Sequence, residues 1–206
     1  EKFVEAGGTF ITTYWSGIVD ENDLCFLGGF PGPLRKVTGI WSEEIDALYD
    51  TDVNHVVLEN GNPLGLKGEY EARQLCDLIH AETAQVLATY KDDFYAGRPA
   101  LTVNSFGKGK AYYIAFRNNG DFLDDFYGAL IRDLNLKRVI DTDLPQGVTA
   151  QMRTDGERVF VFILNFVPEE RQVDLKGMRF KDMLTGESVT GCISLPAYGI
   201  KILERL

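Results

Sequence analysis

Residues 9–33 read TFITTYWSGIVDENDLCFLGGFPGP, and this stretch decides how the rest of the chain is interpreted. Its first part, residues 9–15, is an apolar, β-branched run that follows the helix-stopping pair Gly7-Gly8. Such a run after a helix predicts a strand buried on both faces of an α/β sheet. Residues 1–6 look like the last turns of that helix, so we expect the chain to be a fragment of a longer protein.

The second part, residues 16–33, has neither a helical nor a strand period, yet it carries Phe26, Leu27 and Phe30 among glycines and prolines. Connections in compact domains have a median length of roughly 4–6 residues, and longer ones are usually functional or disordered. This loop is too apolar to be disordered. Ligands and partners of open α/β sheets gather at the carboxyl ends of the strands. The loop therefore predicts an ordered contact surface at that edge.

Bulk composition excludes several classes of function. The 206 residues suit one large domain or two small ones, and the formal net charge of -10 argues against nucleic acid or an anionic membrane surface as partner. No apolar run approaches the roughly 20 residues that a membrane span needs. Three cysteines without metal-ligand spacing favour reduced thiols in a cytoplasmic protein. We predict no cofactor and no metal site.

The first 140 residues predict an α/β domain whose sheet is flanked by helices. Ser42, followed by Glu43 and Glu44, predicts a helix start. Residues 70–79 fit both periods, and a strand is favoured over a helix. The remaining predictions are strands at residues 55–59, 85–90, 99–105 and 111–116, a glycine turn at 106–110, and an amphipathic helix at 121–134.

Composition changes at residues 141–147, DTDLPQG, which predict a linker. Beyond it the helical period disappears, and short apolar runs alternate with turns. Several short strands at regular spacing predict a small all-β sandwich over residues 148–206.

Two other functions compete for the same residues. His80-Ala81-Glu82 supplies the His and Glu of an amidotransferase-like hydrolase, with Cys25 or Cys76 as nucleophile. That chemistry needs a cysteine at a strand-to-helix elbow, whereas Cys25 lies in mid-loop and Cys76 within a regular element. The second alternative is a sugar-binding module in the C-terminal domain, for which Tyr198 and Phe180 are the candidate exposed aromatics.

Four aromatic residues, Trp15, Phe26, Phe30 and Trp41, allow two interpretations. They can pack in the core, or they can form an apolar patch that meets a partner. A loop does not easily bury two phenylalanines inside its own domain, because buried loops leave backbone polar groups unpaired. Both interpretations remain open on these residues alone.

The residues also match a known family. Residues 13–23, TYWSGIVDEND, and 28–35, GGFPGPLR, closely resemble the middle domain of family forty-two glycoside hydrolases, the bacterial β-galactosidases. Residues 88–100 and 107–113 fit the same domain. Leu164-Asn165-Phe166 and Leu184-Thr185-Gly186 resemble the family's small C-terminal β module. The similarity covers nearly the whole chain.

The resemblance implies a three-part parent enzyme: a catalytic (β/α)₈ barrel, a flavodoxin-like or amidotransferase-like domain that builds a homotrimer, and a short β domain. Such an enzyme hydrolyses terminal β-D-galactosides with retention, using two glutamates on the barrel. No position in this chain matches those glutamates, so no catalytic residue is carried over. The α/β domain is also short of its first strand, so we expect an exposed sheet edge.

The resulting prediction is a non-catalytic scaffold whose partners are further copies of the chain and its own barrel. Galactoside would be bound only by the parent enzyme. The residues expected to contact a barrel or a neighbouring subunit lie in or next to the long loop: Trp15, Phe26, Phe30, Arg35 and Trp41.

Overall fold

The computed structural model describes all of residues 1–206, which divide into two compact units, Glu1–Asn135 and Leu136–Leu206. Each unit has its own hydrophobic core. The predicted linker at residues 141–147 begins shortly after this division. Ile140 and Leu144 pack with the core of the second unit. None of the helices is both long and apolar enough to cross a bilayer.

The first unit is built on a mixed six-stranded sheet. Its strand order is β1-β8-β7-β6-β3-β4, and β1 runs parallel to β8 while the other neighbours are antiparallel. The elements of this unit are α1 (Lys2–Glu5), β1 (Thr9–Thr13), a 3-10 turn (Gly32–Leu34), α2 (Arg35–Thr38), β2 (Ile40–Ala47), β3 (Asn54–Leu58), β4 (Glu69–Ala72), β5 (Leu75–Ala81), β6 (Gln85–Tyr90), β7 (Pro99–Phe106), β8 (Gly109–Ile114) and α3 (Asp121–Asp133).

Alternate side chains of β8 face two different layers, because successive residues of a strand point to opposite faces. On one face Tyr112 meets Phe126 of α3 at a ring-centroid distance of 5.6 Å. On the other face Tyr113 packs with Ile40 of β2 and Ile79 of β5. The short helices α1 and α2 also pack beside β8. The predicted sheet with flanking helices is confirmed, and β2 with β5 adds a two-stranded layer.

Helix α3 has the amphipathic character that its sequence predicts. Its buried residues Phe122, Phe126, Ala129 and Leu130 repeat at helical spacing and join the main core. Burial of each of the two phenylalanines contributes roughly 1.5–3 kcal/mol. Packing of this one face therefore holds α3 on the sheet.

The prediction that a helix starts at Ser42 is wrong. The helix here is α2, which ends at Thr38 and is capped by Gly39 in a left-handed conformation with φ of 65°. Ser42 belongs to β2, which pairs antiparallel with β5, and the register shifts between Ser42 and Glu44. This β-bulge interrupts the two-residue alternation, so the strand looked like a capped helix.

The prediction that β1 is buried on both faces is also wrong, because all five of its residues are only half-buried. The strand lies at the edge of the sheet, with β8 as its one neighbour. Its Phe10 packs with Val4 and Val37, and its Ile11 contacts the main core from the opposite face. β1 is therefore one of the two edge strands of this sheet, and β4 is the other.

The favoured strand over residues 70–79 is present as two strands. β4 ends at Ala72 and β5 begins at Leu75, and between them Gln74 adopts a left-handed conformation with φ of 63°. The chain turns at Gln74, and as a result β4 pairs with β3 whereas β5 pairs with β2. The chain thus leaves one layer of the unit and enters the other at this point.

The second unit is all-β, as predicted. A five-stranded sheet of order β13-β12-β15-β10-β9 accompanies a two-stranded sheet of β11 and β14. Its core contains Val161, Ile163 and Leu203. The strands are β9 (Val148–Thr154), β10 (Val159–Asn165), β11 (Arg171–Asp174), β12 (Phe180–Asp182), β13 (Ser188–Val189), β14 (Cys192–Leu195) and β15 (Ile200–Arg205).

Candidate functional site: the long loop and the surface beside it

The tip of the long loop is closed by its own hydrogen bonds. A carboxylate oxygen of Asp20 accepts from the backbone amides of Asn22 at 2.8 Å and Leu24 at 3.0 Å. The Phe26 amide donates to the Ile18 carbonyl at 3.0 Å. These bonds turn an acidic, irregular segment into an ordered one without a regular helix or strand.

The second half of the loop is joined to strand β2. The Ser42 amide donates to the Phe30 carbonyl at 2.6 Å, and the Phe30 amide donates back to Ser42 at 3.3 Å. Gly29 lies so close to Trp41 that a Cβ added there would approach its ring to 3.0 Å. The loop backbone and Trp41 are therefore packed against each other.

Trp41 stacks with two planar side chains that carry polar nitrogen atoms. Its ring is parallel to that of His80, with centroids 4.4 Å apart and an interplanar angle of 8°. The Arg35 guanidinium carbon lies 5.6 Å from the Trp41 ring centroid, within cation–π range. β2 and β5 position the first pair, because Trp41 and His80 are directly opposite in the ladder.

Two ion-pair groups surround this stack. Arg35 makes a bidentate pair with Glu82 through contacts of 2.9 and 2.5 Å, and it donates to the Gly28 carbonyl at 3.1 Å. Glu43 contacts both His80 and Arg98 at 2.8 Å. Hydrogen bonds from Arg98 first and His80 second lower the pKa of Glu43. Charge pairing thus favours this arrangement of the surface.

Trp15 begins the loop at a sharp corner. Its φ is 62° and 59% of the residue is exposed. Beneath it lies Asp77, which is buried and accepts a hydrogen bond of 2.7 Å from the Tyr113 hydroxyl. Burial raises the pKa of Asp77 to about 6, while Tyr113 and the Trp15 backbone amide favour its charged form.

The five predicted contact residues are therefore only partly brought together. Arg35 and Trp41 touch, while Phe26 and Phe30 are half-buried in the loop next to them. Trp15 lies at the other end of the loop. The structure adds His80 and Arg98 to the surface, which sequence reasoning did not link to Trp41. Pairing of β2 with β5 brings His80 there, and Arg98 reaches Glu43 as an ion pair from the turn before β7.

Two exposed leucines of the loop were not among the five predicted contact residues. Leu27 is 98% exposed and Leu24 is 65% exposed. The one hint in the sequence was that this apolar loop has no helical or strand period. Without such a period, its apolar side chains are not expected to face the core. Composition alone does not reveal which side chains of the loop point outward.

The alternative cysteine hydrolase does not fit the geometry. Cys76 is buried, and this burial raises the pKa of its thiol to about 11, which disfavours a thiolate nucleophile. His80 is paired with Glu43 and Arg98, whereas Glu82 is paired with Arg35. The His and Glu of the triplet therefore serve two separate contacts.

The alternative sugar-binding module loses one of its two aromatic candidates. Phe180 is completely buried, so its expected exposure is wrong. The reason is its place in β12, whose alternate residues Phe180 and Asp182 face the core of the second unit. Tyr198 is 69% exposed. Of the two predicted candidates, only Tyr198 is therefore available to a sugar.

Two family models together cover nearly the whole chain. Residues 1–137 match the family described as "Beta-galactosidase trimerisation domain", and residues 147–205 match "Beta-galactosidase C-terminal domain". The first match confirms the resemblance drawn from the loop motif, and the second confirms the resemblance of the C-terminal stretch.

Individual relatives agree with this assignment. The chain is 63% identical over 205 residues to the β-galactosidase Pbg of Clostridium perfringens, covering 100% of the chain and 30% of the relative. It is 50% identical to BglY of Alicyclobacillus acidocaldarius, with the same coverage of 100% and 30%. The chain thus spans about 30% of the length of these relatives.

Solved structures give the same result. The β-galactosidase of Bacillus circulans sp. alkalophilus has 45% identity and a TM-score of 0.87, over 100% of this chain and 30% of that one. The enzyme of Rahnella sp. R3 has 54% identity and a TM-score of 0.83, over 99% and 29%. The chain therefore belongs to the glycoside hydrolase family 42 β-galactosidases and carries their trimerisation and C-terminal domains.

Proposed function

We propose that this chain is a non-catalytic oligomerisation scaffold of a β-galactosidase, which assembles as a homotrimer. The observation that carries the proposal is the match of residues 1–137 to a family described as a trimerisation domain. An ordered loop that presents leucines and a tryptophan to solvent supports it, because large exposed apolar patches mark sites of protein interaction.

The contacts with a neighbouring subunit or with the enzyme's own barrel are made by Trp15, Phe26, Phe30, Arg35 and Trp41. Arg35 and Trp41 support this role through their fixed geometry. A side chain that is already held by ion pairing and stacking loses little conformational entropy on binding. Aromatic and arginine side chains are also the commonest energetic centres of protein interfaces.

The chemistry of the parent enzyme follows from its relatives, which are described as β-galactosidases. We propose that it hydrolyses terminal β-D-galactosides with retention of configuration. Retention requires two carboxyl groups roughly 5–5.5 Å apart, one as nucleophile and one as acid and base. In the proposal both belong to a catalytic barrel outside this chain, and only that barrel binds galactoside.

We also propose a cytoplasmic location. All three cysteines are free thiols, and two of them, Cys25 and Cys192, are exposed. Exposed thiols persist more readily in a reducing compartment than in an oxidising one.

Light scattering of the purified chain tests the scaffold function. The expected mass is three times the 23.1 kDa of one chain. A particle with the mass of one chain at all concentrations would contradict the proposal. A parallel assay on a chromogenic galactoside is expected to show no turnover, and turnover that disappears when an acid of this chain is mutated would contradict the non-catalytic role.

A further inference from the structure

A groove in the first unit lies between α3 and the loop that joins β3 to β4. Its volume is about 260 Å³. The side chains and the glycine that give it its character are Lys67, Tyr70, Asp124, Asp125, Gly128 and Arg132. The surface proposed above for assembly includes none of them.

Helix α3 supplies the floor of the groove. Asp124, Gly128 and Arg132 follow one another at intervals of four residues, so they share one face of the helix. Asp124 and Arg132 are eight residues apart, which places them about 12 Å apart along the helix axis. The glycine between them leaves a notch with an acid at one end and a base at the other.

Nothing in the local structure requires a glycine at position 128. It lies inside α3, where glycine is less stable than alanine because it loses more backbone entropy on folding. A Cβ there would meet one neighbour, the Arg132 Nη1 atom, at 3.6 Å, which is an ordinary contact distance. Gly128 thus weakens the helix without relieving a clash, and its effect is to keep the notch open.

The opposite wall of the groove is fixed by hydrogen bonds. The Tyr70 hydroxyl donates to the Asp125 carboxylate at 2.7 Å and so joins β4 to α3. Behind the wall, the buried Asn62 side chain donates to the Leu66 carbonyl at 2.6 Å and accepts from the Leu66 amide at 3.2 Å. Because these bonds exist without a ligand, little conformational entropy is lost when one binds.

The charges of the groove favour a neutral ligand. Lys67 and Arg132 supply two positive charges. Asp124 and Asp125 supply two negative charges, so the net charge of the lining is zero. Lys67, Asp124 and Arg132 belong to none of the ion pairs of the chain. They therefore offer hydrogen-bond donors and an acceptor to a ligand, without selecting a cation or an anion.

The volume of the groove limits the size of that ligand. A cavity of about 150 Å³ accommodates benzene, and pockets for drug-sized molecules begin at about 300 Å³. The groove lies between these two values, so it suits one six-membered ring with small substituents. Hydroxyl groups both donate and accept hydrogen bonds, as this lining requires. A monosaccharide meets both conditions.

We propose that this groove binds a free monosaccharide, with the sugar ring over Gly128. The Asp124 carboxylate accepts hydrogen bonds from hydroxyls at one end of the ring, while Arg132 and Lys67 donate to hydroxyls at the other. The choice of galactose as the sugar rests on the proposed function, because hydrolysis of a terminal β-D-galactoside releases it. The ligand is thus the product of the proposed reaction and not its substrate.

Isothermal titration calorimetry of the full chain with galactose tests the site. We expect saturable binding of one galactose per chain. Gly128→Leu is expected to weaken it about tenfold or more, because the new side chain occupies the volume of the sugar. Ile131→Leu is the matched control, since Ile131 is an exposed residue of α3 outside the groove. It is expected to bind galactose as the wild type does.

A smaller substitution separates a binding role of Gly128 from a structural one. Gly128→Ala is expected to raise the urea midpoint of unfolding, because alanine is the better helix former. It should also weaken galactose binding, although less than Gly128→Leu does. Lower affinity in a more stable protein cannot result from misfolding. Undiminished binding in Gly128→Leu would place the sugar elsewhere and overturn the inference.

Two further titrations test the chemical class of the ligand. Inorganic phosphate represents anions and glycine represents zwitterions, and neither is expected to bind. The affinity for galactose should change little between low and high sodium chloride, because an uncharged ligand forms no ion pair that salt can screen. Binding of phosphate or glycine in place of galactose would overturn the assignment to a sugar.

Sedimentation velocity on the same samples keeps this inference separate from the scaffold function. A trimer that does not bind galactose overturns the inference and leaves the scaffold function standing. Single chains that bind galactose overturn the scaffold function and leave the site standing. A Gly128→Leu variant that is still a trimer but no longer binds galactose supports both.

Discussion

The indole ring of Trp41 lies parallel to the imidazole of His80, with centroids 4.4 Å apart. The two residues face each other across the β2–β5 ladder, and Arg35 approaches the indole at 5.6 Å. Stacked aromatic pairs contribute about 0.5–1.5 kcal/mol beyond the area they bury. The stack therefore fixes a large side chain on a surface where a partner can use it.

If Trp41 contacts a neighbouring subunit, Trp41→Ala should weaken trimer assembly about tenfold, which corresponds to about 1.4 kcal/mol. His80→Ala is the matched variant, because it removes the stacking partner and leaves the indole in place. Sedimentation equilibrium measures both association constants. Equal losses in the two variants would show that the stack matters for local stability alone and not for contact.

Asp77 gives the first unit a pH-dependent stability. Burial raises the folded-state pKa of Asp77 from 3.8 to about 6, so the protonated carboxyl stabilises the fold. This contribution is complete below pH about 4 and is lost as the pH rises through about 6. A shift of this size corresponds to at most about 3 kcal/mol.

Urea unfolding at pH 5 and pH 8, followed by tryptophan fluorescence, measures the effect, since Trp15 and Trp41 both lie in the first unit. Asp77→Asn should reduce the difference in unfolding free energy between the two pH values. Tyr113→Phe removes a hydrogen bond to the carboxylate and should move the loss to higher pH. An unchanged pH profile in Asp77→Asn would rule out Asp77 as its source.

Gly32 lies where the loop backbone and the Phe26 ring are in contact. Its φ is 47°, and a Cβ there would lie 2.4 Å from the ring and 2.9 Å from the Gly17 carbonyl oxygen. Gly61 has a φ of 75° but open space around it. Both substitutions to Ala carry the strain of a left-handed conformation, so their difference isolates the contact.

We expect Gly32→Ala to cost about 1–3 kcal/mol more than Gly61→Ala, the range for overpacking a filled site. Urea unfolding monitored by fluorescence gives both values. Equal costs would mean that the ring of Phe26 moves away freely, and the loop would then be less rigid than its contacts indicate.

The three cysteines should differ in reactivity. Burial raises the pKa of the Cys76 thiol to about 11, whereas Cys25 and Cys192 are exposed. Iodoacetamide at pH 8 should therefore add two groups to the native chain and three in urea, as counted by mass spectrometry. Rapid alkylation of native Cys76 would revive the cysteine hydrolase.

Sequence analysis succeeded where one pattern persists through the whole element. The apolar spacing of α3 reflects packing of one face on the core, and the continuous apolar run in β8 reflects burial of both faces, so both were predicted correctly. The prediction of a helix at Ser42 failed because the bulge after Ser42 breaks the two-residue alternation of strand β2. The acids Glu43 and Glu44 that follow resemble the first turn of a helix. The prediction for β1 failed because an edge strand and a central strand share the same residue types.

The candidate site was predictable in its loop and not in its surroundings. Arg35 and Trp41 were expected as contacts from the motif and its neighbourhood. His80 reaches Trp41 through the pairing of β2 with β5, and Arg98 reaches Glu43 from the turn before β7. The exposure of individual loop side chains could not be predicted from the sequence either. Leu27 and Phe26 are adjacent apolar residues, yet the first is fully exposed and the second half-buried.

The edge position of β1 has a consequence for the order of folding. Thr9 pairs with Lys110, so this ladder closes a loop of about a hundred residues, whereas the hairpin of β7 and β8 joins neighbours in the chain. Contacts between distant segments form slowly because the entropy of loop closure must be overcome first. We expect the hairpins to form early and β1 to dock last. Since β1 leads directly into the long loop, a half-folded chain would not yet display the proposed assembly surface. In the proposed trimer, subunits would then meet only after each has folded.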